Sequence, residues 1–367
     1  VADLMDDKKL RVLLVPNSLF FPPYLEDLRE LERGGTIPRS WVHDIDAEVE
    51  YLDQRLQTNP PKWRRSIYKR LPMWVVQVLE VYRTGRKYDV VFFWSVANVA
   101  LVLALLLKVT FRRMTIVALF TRISEPKKAR LLKLVHSRIS KIILPPATQR
   151  EIAEIELGVP AEKLIGLPWT TDSEFWSGRG QTPERSMVCA AGGEMRDYRT
   201  LVKALEGLDI PCHIAGALDT SRQDWWNSAS GEFDAEERIP ANVTFGIMPP
   251  SQLRAMYAKC RLVVVPLKPT NSDNGITCMN EAWAMGRPVI VSDVEGQRGA
   301  FTEGHEGLWV PPGDVEALRA AIVSLWNDPA RADKMGAAGR LLVERDKDNR
   351  IFSDGINRVI ANAAMGS

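Results

Sequence analysis

Uninterrupted apolar runs, each followed by a stretch of helical periodicity, recur along this chain in two separate series. A run with no polar alternation reads as a strand covered on both faces, and strands separated by helices pair in parallel. The first series has strands at Arg11–Pro16 (RVLLVP), Asp89–Trp94 (DVVFFW), Met114–Phe120 (MTIVALF) and, more briefly, Ile142–Leu144. Helical patterns occupy Trp74–Arg86, Val96–Val109 and Lys127–Ser140, the last basic and amphipathic. The second series has strands at Met187–Ala191, Cys212–Ala215, Asn242–Phe245, Leu262–Pro266 and Pro288–Ser292. Its helices are expected at Tyr198–Glu206, Pro250–Lys259, Thr277–Met285 and Val315–Trp326. Two doubly wound, Rossmann-like α/β units follow from this pattern, and 367 residues is a length for two domains.

The polar, glycine-bearing stretch Leu167–Arg185 separates the two series and predicts the boundary. The expected division is an N-terminal domain over 1–170, a linker over 171–185 and a C-terminal domain over 186–345. The last segment, 346–367, carries a helix at Asn349–Ala361 expected to cross back to the first domain. The longest apolar run, Val96–Val109, is broken by Asn98 and Lys108 and is too short to span a bilayer. Val1–Lys9 is polar and leads straight into a strand, so a cytoplasmic protein is expected. Cys189, Cys212, Cys260 and Cys278 form no Cys-x-x-Cys pair, and buried free thiols are expected of them.

Net charge is +2 but unevenly spread. Residues 61–150 hold 19 Lys and Arg against three acids, Glu80, Asp89 and Glu125. Such a half either faces an anionic partner or carries a solvated basic face. Within it, Lys62–Trp74 (KWRRSIYKRLPMW) mixes cations with aromatics. That chemistry suits an anionic membrane surface, with cations for the headgroups and Trp for the interface. No nucleic-acid module accompanies it, so no nucleic-acid partner is expected.

The most informative segment is Val263–Gly299 (VVVPLKPTNSDNGITCMNEAWAMGRPVIVSDVEGQRG). A buried strand ends at Pro266, a polar loop follows, and a helix opens near Gly275-Ile276-Thr277. The free N–H groups of a helix's first turn attract phosphate, and Gly275 lets a ligand approach the backbone. Asp273 and Glu281 bracket this turn, spaced to reach opposite ends of one elongated ligand. Each feature also has a plain structural reading. Gly275, Gly286 and Pro288 punctuate turns in many folds, Asp273 could cap the helix, and Glu281 could be a solvated helix residue.

Two acids separated by seven residues, followed by Ala282-Trp283-Ala284-Met285-Gly286-Arg287-Pro288-Val289, resemble the donor-site signature of retaining GT-B glycosyltransferases, in particular glycosyltransferase family 4 (group 1). Asp273 stands where that family usually has Glu. The resemblance implies that Glu281 binds the ribose hydroxyls and Asp273 contacts the transferred sugar. It implies that Asn274 and the backbone of Gly275, Ile276 and Thr277 lie at the diphosphate. The stretch Cys189–Leu201 (CAAGGEMRDYRTL) resembles the strand, loop and helix that clamp the diphosphate. Gly192 and Gly193 would approach the donor there, and Arg196 would stabilise the leaving group. Gly193 replaces the family's usual Arg. Asn242–Gly246 with Pro250 and Leu253 resembles the base-side loop, which places Ile247 and Met248 near the nucleobase. Val310–Asp314 with Leu318 and Ile322 resembles the segment that closes the domain.

The resemblance therefore implies the GT-B architecture, two facing Rossmann-like domains with parallel sheets and an interdomain cleft. It implies hexosyl transfer from a nucleoside diphosphate sugar to an acceptor hydroxyl, with retention, no cofactor and no metal. The N-terminal half would bind the acceptor, which its charge suggests is lipid-linked or anionic, on the inner face of a membrane. Its strand ends offer Asn17, Ser18, Ser95 and Thr121 as acceptor-side candidates. Many relatives place a histidine at such a strand end, and His43, His136, His213 and His305 do not lie there. The absent histidine and Gly193 leave two further readings open. One is a catalytically silent relative that binds a nucleotide or acts as a scaffold; the other is an inverting transferase or epimerase of the same architecture. Asp44-Ile45-Asp46 lacks the buried strand that would make it a metal-nucleotide motif. No Gly-x-Gly-x-x-Gly follows Val15, and no Walker loop or nucleophile elbow is present.

Overall fold

A computed structural model describes residues 9–17, 25–52, 55–60, 62–181, 184–216 and 239–366. Ser18 and nearly all of the polar stretch Val1–Lys9 lie outside the described residues. The chain divides into two units. One is drawn from Val1–Glu30, Trp41–Leu167 and Phe352–Ser367, the other from Leu31–Ser40 and Pro168–Ile351.

The first unit holds strands β1 (Arg11–Val15), β2 (Glu48–Tyr51), β3 (Val90–Trp94), β4 (Ile116–Leu119), β5 (Lys141–Ile143) and β6 (Leu164–Ile165). They form one parallel sheet in the order β2-β1-β3-β4-β5-β6. The second holds β7 (Met187–Ala191), β8 (Cys212–Ala215), β9 (Val243–Phe245), β10 (Cys260–Val265), β11 (Val289–Ser292) and β12 (Gly307–Val310). These are also parallel, in the order β12-β11-β10-β7-β8-β9. Both units are thus doubly wound α/β sheets, as the alternation of apolar runs and helices predicts.

The second sheet shows why its strands read as unbroken apolar runs. Cys189, Ala191, Val263 and Val265 join one buried layer with Trp176, Tyr257 and Trp283. Val188, Ala190, Leu262 and Val264 join a second layer with Tyr198, Leu201 and Ile322 on the opposite face. Successive residues point to opposite faces and both faces are covered, so the central positions of β7 and β10 are apolar in succession. All four cysteines are buried and free, three of them in these strands.

The expected helices are present at Met73–Thr84, Ala97–Val109, Pro126–Val135, Tyr198–Leu205, Pro250–Lys259, Ile276–Ala284 and Val315–Asn327. The basic helix stops at Val135 and gives way to a single 3-10 turn, His136–Arg138, instead of running to Ser140. Strands β2, β6 and β12 and the helices Leu25–Arg33 and Pro329–Asp346 lie outside the elements expected from the sequence, although Leu25, Leu28 and Leu31 recur at helical spacing and β12 is the apolar run GLWV. In β2 the residues alternate between half-buried and exposed, as on a sheet edge. The helix Pro329–Asp346 buries Ala332, Met335, Gly336, Gly339 and Val343, a face made of small residues. A Cβ at Gly336 would come 2.2 Å from the Gly286 carbonyl oxygen, and one at Gly339 2.2 Å from the Trp283 ring. Close approach of backbones, and not a broad apolar stripe, seats this helix.

The polar stretch Leu167–Arg185 is packed structure over its described residues and not an open connection. Phe175 and Trp176 are buried in the second unit's core. Asp172 accepts the backbone N–H groups of Glu174 and Phe175, and Arg340 donates to the carbonyls of Ser173 and Trp176. Thr171 pairs with Asp348, which also accepts from the Ser173 hydroxyl. The final helix spans Asn349–Met365, and its residues from Phe352 onward group with the first unit, where Phe352 meets the Trp41 ring edge-on at 5.1 Å. Among the described residues no helix is long and apolar enough to cross a membrane.

Candidate functional site

In the second sheet the strand order reverses between β7 and β10. The chain leaves β7 toward β8 on one side and leaves β10 toward β11 on the other. Connections that diverge in this way open a crevice beyond the carboxyl ends of the two strands, where doubly wound sheets bind ligands. The two loops at that point are Gly192–Arg196 after β7 and Leu267–Gly275 after β10. They are laced together by main-chain bonds, Asp197 N–H to the Pro266 carbonyl at 3.0 Å and Lys268 N–H to the Met195 carbonyl at 2.9 Å.

Both loops turn through left-handed backbone, at Gly192 (φ 94°) and Met195 (φ 55°) in the first and at Gly275 (φ 95°) in the second. Arg196 lies beneath these glycines and is 3% exposed. Its Nε donates to the Ala191 carbonyl at 3.0 Å, Nη1 to the Glu194 carbonyl at 2.8 Å and Nη2 to the Cys278 sulfur at 3.3 Å. A Cβ at Gly192 would stand 2.6 Å from Nη2, and one at Gly275 would stand 3.6 Å from Nη1. The absence of side chains at these two positions is what brings a fixed cation up against the loop surface. Gly193, between the turn and Arg196, is half-buried.

Gly275 is the N-cap of the helix Ile276–Ala284, and no side chain caps it. Asp273 is therefore not the cap. Its main-chain carbonyl accepts the Ile276 N–H at 3.1 Å. The Asn274 side chain turns inward to accept from the Thr270 hydroxyl at 2.9 Å, and its carbonyl accepts from buried Gln297 at 2.7 Å. The contribution of Asn274 is thus to hold the loop, while Ile276 and exposed Thr277 present the helix's first turn.

Burial pushes the Asp273 carboxyl up to about 7 against hydrogen bonds from Trp169, its own backbone and Ser272, with Glu194 adding repulsion. Burial likewise pushes Glu281 up to about 8, opposed by the Tyr257 hydroxyl, 3.3 Å from Oε2, and by the positive charge of Arg196. Glu281 is a half-buried group held by Tyr257, not a solvated helix residue. Carboxyls this far from their ordinary range, beside a buried guanidinium and an uncapped helix start, form a charge arrangement typical of functional sites.

Trp169, Tyr257 and Cys278 carry this geometry and have no spacing signal in the sequence. Trp169 belongs to the polar stretch before the second unit; its carbonyl also accepts from fully buried Asn280 at 2.9 Å. Tyr257 and Cys278 look like ordinary core residues until the fold places their polar atoms against Glu281 and Arg196. Ile247 is 77% exposed and Met248 packs partly against the core, both in the loop after β9.

At the carboxyl edge of the first sheet, Asn17 Nδ2 donates to the Ser95 carbonyl at 3.3 Å, so the loops after β1 and β3 meet. Ser95 has positive φ (52°), an uncommon conformation for a residue with a side chain. Its N–H bonds to the Leu119 carbonyl at the end of β4, and exposed Thr121 follows two residues later.

Residues 194–328 match the family model described as glycosyl transferases group 1. Over this segment the chain resembles the group 1 glycosyl transferases. Among curated proteins the chain is similar to the D-rhamnosyltransferase WbpZ of Pseudomonas aeruginosa, 28% identical over 158 residues, 39% of this chain and 37% of that protein. It is also similar to the D-inositol 3-phosphate glycosyltransferase of Corynebacterium glutamicum, 29% identical over 42% of this chain and 38% of that one. The chain thus spans less than two fifths of the length of these relatives. The whole fold is shared with solved GT-B structures at low identity. Anabaena HepE in complex with UDP and glucose superposes with a TM-score of 0.66 at 16% identity, covering 96% of this chain and 99% of that one. The matched segment contains Arg196, Asp273, Gly275 and Glu281.

Proposed function

We propose that this protein transfers a hexosyl group from a nucleoside diphosphate sugar to an acceptor hydroxyl, with retention and without a catalytic metal. The observation that carries this reading is the junction at the β7/β10 switch point. One buried guanidinium lies under two glycines, next to an uncapped helix start, and two carboxyls of raised proton affinity stand just before that start and within the helix.

Each part has a role in such a transfer. The first-turn N–H of Thr277, next to Ile276, would hold a diphosphate oxygen, and Gly192 and Gly275 would let the diphosphate approach. Arg196 would offset the charge that grows on the departing phosphate, fixed in advance by its bonds to Ala191, Glu194 and Cys278. Glu281, oriented by Tyr257, would bind the ribose hydroxyls, and Asp273, oriented by Trp169, would contact the sugar. In the reaction the bond from the anomeric carbon to the phosphate oxygen breaks and the bond to the acceptor oxygen forms on the same face. The acceptor's proton passes to the departing phosphate oxygen, so no histidine is required and positioning carries the rate. The naming of HepE with UDP and glucose, and of WbpZ as a rhamnosyltransferase, supports the donor class. The basic first unit supports a lipid-linked or otherwise anionic acceptor.

A thermal-shift panel of UDP, GDP, dTDP and ADP tests the reading, because a ligand that binds only the native state raises its melting temperature. One nucleotide is expected to stabilise the wild type and to leave the Asp273→Ala, Glu281→Ala double variant unmoved. Hydrolysis of the matching sugar nucleotide then distinguishes an enzyme from a silent relative. No shift with any nucleotide at millimolar concentration would overturn the donor assignment.

A further inference from the structure

The Lys62–Arg70 stretch is built inside out. It runs from a 3-10 turn, Lys62–Arg64, into a four-residue helix, Arg65–Tyr68. Its inward residues are polar: Arg64 and Tyr68, 7% and 5% exposed, both reach the buried carboxylate of Glu80 on the helix Met73–Thr84. Arg83 completes the group, its Nη2 2.8 Å from Glu80 Oε2. Its outward residues are apolar: Trp63 and Ile67 are 73% and 56% exposed. Each lies one position before an anchor, so fixing Arg64 and Tyr68 inward turns Trp63 and Ile67 outward. Trp74, at the start of the next helix, is 41% exposed. A helix facing water carries the opposite pattern, and an exposed apolar group over a buried ion pair marks a surface meant to be covered.

The charge around this patch identifies the cover. Lys62, Arg65, Lys69 and Arg70 are exposed beside Trp63 and Ile67, and no acid lies between residues 62 and 79. The three acids of residues 61–150 are all engaged within the unit. Glu80 holds the anchor, Asp89 accepts the Arg11 N–H at 2.7 Å and Glu125 pairs with Lys128 at 2.9 Å. Among the described residues, no acid of 61–150 is left over to neutralise the basic field, which suits an external anion. Its position is equally defined. Gln77, one turn into the helix that carries Glu80, donates to the carbonyls of Pro16 and Leu52, which follow β1 and β2. The patch thus belongs to the carboxyl edge of the first sheet, the edge that also carries Asn17 and Ser95.

We propose that Lys62–Trp74 is a seat for an anionic phospholipid bilayer, with Trp63 and Ile67 entering the interface and the four cations meeting the headgroups. The inference deepens the acceptor side of the proposed function and rests on it for its purpose, but the contact is read from the first unit alone. Trp is favoured at the bilayer interface, and cations beside it add attraction that falls off within a Debye length. An acceptor carried in that bilayer would meet the protein at the sheet edge where acceptor-side residues gather.

Flotation of the full chain with vesicles tests this directly. Binding is expected to phosphatidylcholine vesicles containing about a third phosphatidylglycerol, and not to phosphatidylcholine alone. The Trp63→Ser, Ile67→Ser variant keeps every charge and should bind at least about tenfold more weakly, because insertion scales with buried apolar area. Lys62→Glu, Lys69→Glu should lose binding as well. Both variants should keep the wild-type thermal shift with nucleotide, which separates failure of this seat from failure of the donor reading. Brominated lipid should quench Trp fluorescence less in Trp63→Phe than in the wild type. Three results would overturn the proposal. They are no flotation of wild type with anionic vesicles, wild-type flotation by the Ser variant, and a concentration-dependent dimer abolished by the Ser variant, which would make a second copy the cover.

Discussion

The Nη2 of Arg196 lies 3.3 Å from the sulfur of Cys278, and the same thiol points its hydrogen at the Ala191 carbonyl, 3.2 Å away. A residue from the helix Ile276–Ala284 thereby fixes a cation from the loop after β7. Cys278→Ala should leave a buried guanidinium N–H without that partner and cost about 1–3 kcal/mol in urea unfolding. Cys278→Ser keeps an acceptor at this position and should lose less.

Arg196 donates three hydrogen bonds from a planar fork, to two carbonyls and a sulfur. A lysine ammonium cannot reproduce that fork. Arg196→Lys should keep the charge yet weaken nucleotide affinity by about tenfold or more, read by titration calorimetry. Retained affinity would show that charge alone matters at this position.

Gly275 combines positive φ (95°) with close packing, a Cβ there falling 2.6 Å from Val265 Cγ1. Gly275→Ala should destabilise by about 1–3 kcal/mol and abolish the nucleotide-induced shift, through strain and a displaced helix start. Gly207 has φ 74° with nothing within 4 Å of an added Cβ. Gly207→Ala should cost about 1 kcal/mol and leave the nucleotide response intact.

Asp273 and Glu281 bind protons more tightly in the folded protein, at about 7 and about 8, than an unfolded chain would. The native state then holds more protons than the unfolded state between roughly pH 4 and 8. The stability from the two neutral carboxyls is complete below the unfolded values and is lost as pH rises through the folded ones. The nucleotide-free protein should therefore melt lower at pH 8.5 than at pH 6. Glu281→Gln should flatten this slope and melt about 2–4 °C above the wild type at pH 8.5. A wild-type slope in the variant would place the proton uptake elsewhere.

Glu80 is the shared acceptor for Arg64, Tyr68 and Arg83, and its side chain and that of Arg64 are almost fully buried. Glu80→Ala should destabilise the protein by about 3–5 kcal/mol, since it leaves Arg64 with an uncompensated buried charge. Glu80→Gln, which still accepts hydrogen bonds, should lose less. Denaturant midpoints at constant slope would measure both.

Much of the fold was legible because continuous apolar runs have one good interpretation when helices lie between them. Strands β1, β3, β4, β7, β10 and β11 were read from that signal alone. What escaped was whatever the core does not demand. The edge strand β2 alternates, β6 is two residues long, and the helix Pro329–Asp346 packs through Ala and Gly, which carry little apolar signal. The stretch Leu167–Arg185 reads as polar, yet its Phe175 and Trp176 are core residues, because two aromatics outweigh many polar neighbours once buried.

The sequence by itself determined the two α/β series, the glycine turn before the helix at Ile276, the spacing of Asp273 and Glu281, and the basic character of residues 61–150. These are local or compositional properties, so they survive without coordinates. Only the tertiary structure decided that β7 and β10 are neighbours at the point where the strand order reverses, which brings Arg196 under Gly275 across 79 residues of chain. It alone assigned Trp169 to Asp273, Tyr257 to Glu281 and Cys278 to Arg196, and it alone turned Trp63 and Ile67 outward. Such partnerships depend on which surfaces sheet order and helix packing press together, and no residue's own propensity encodes them.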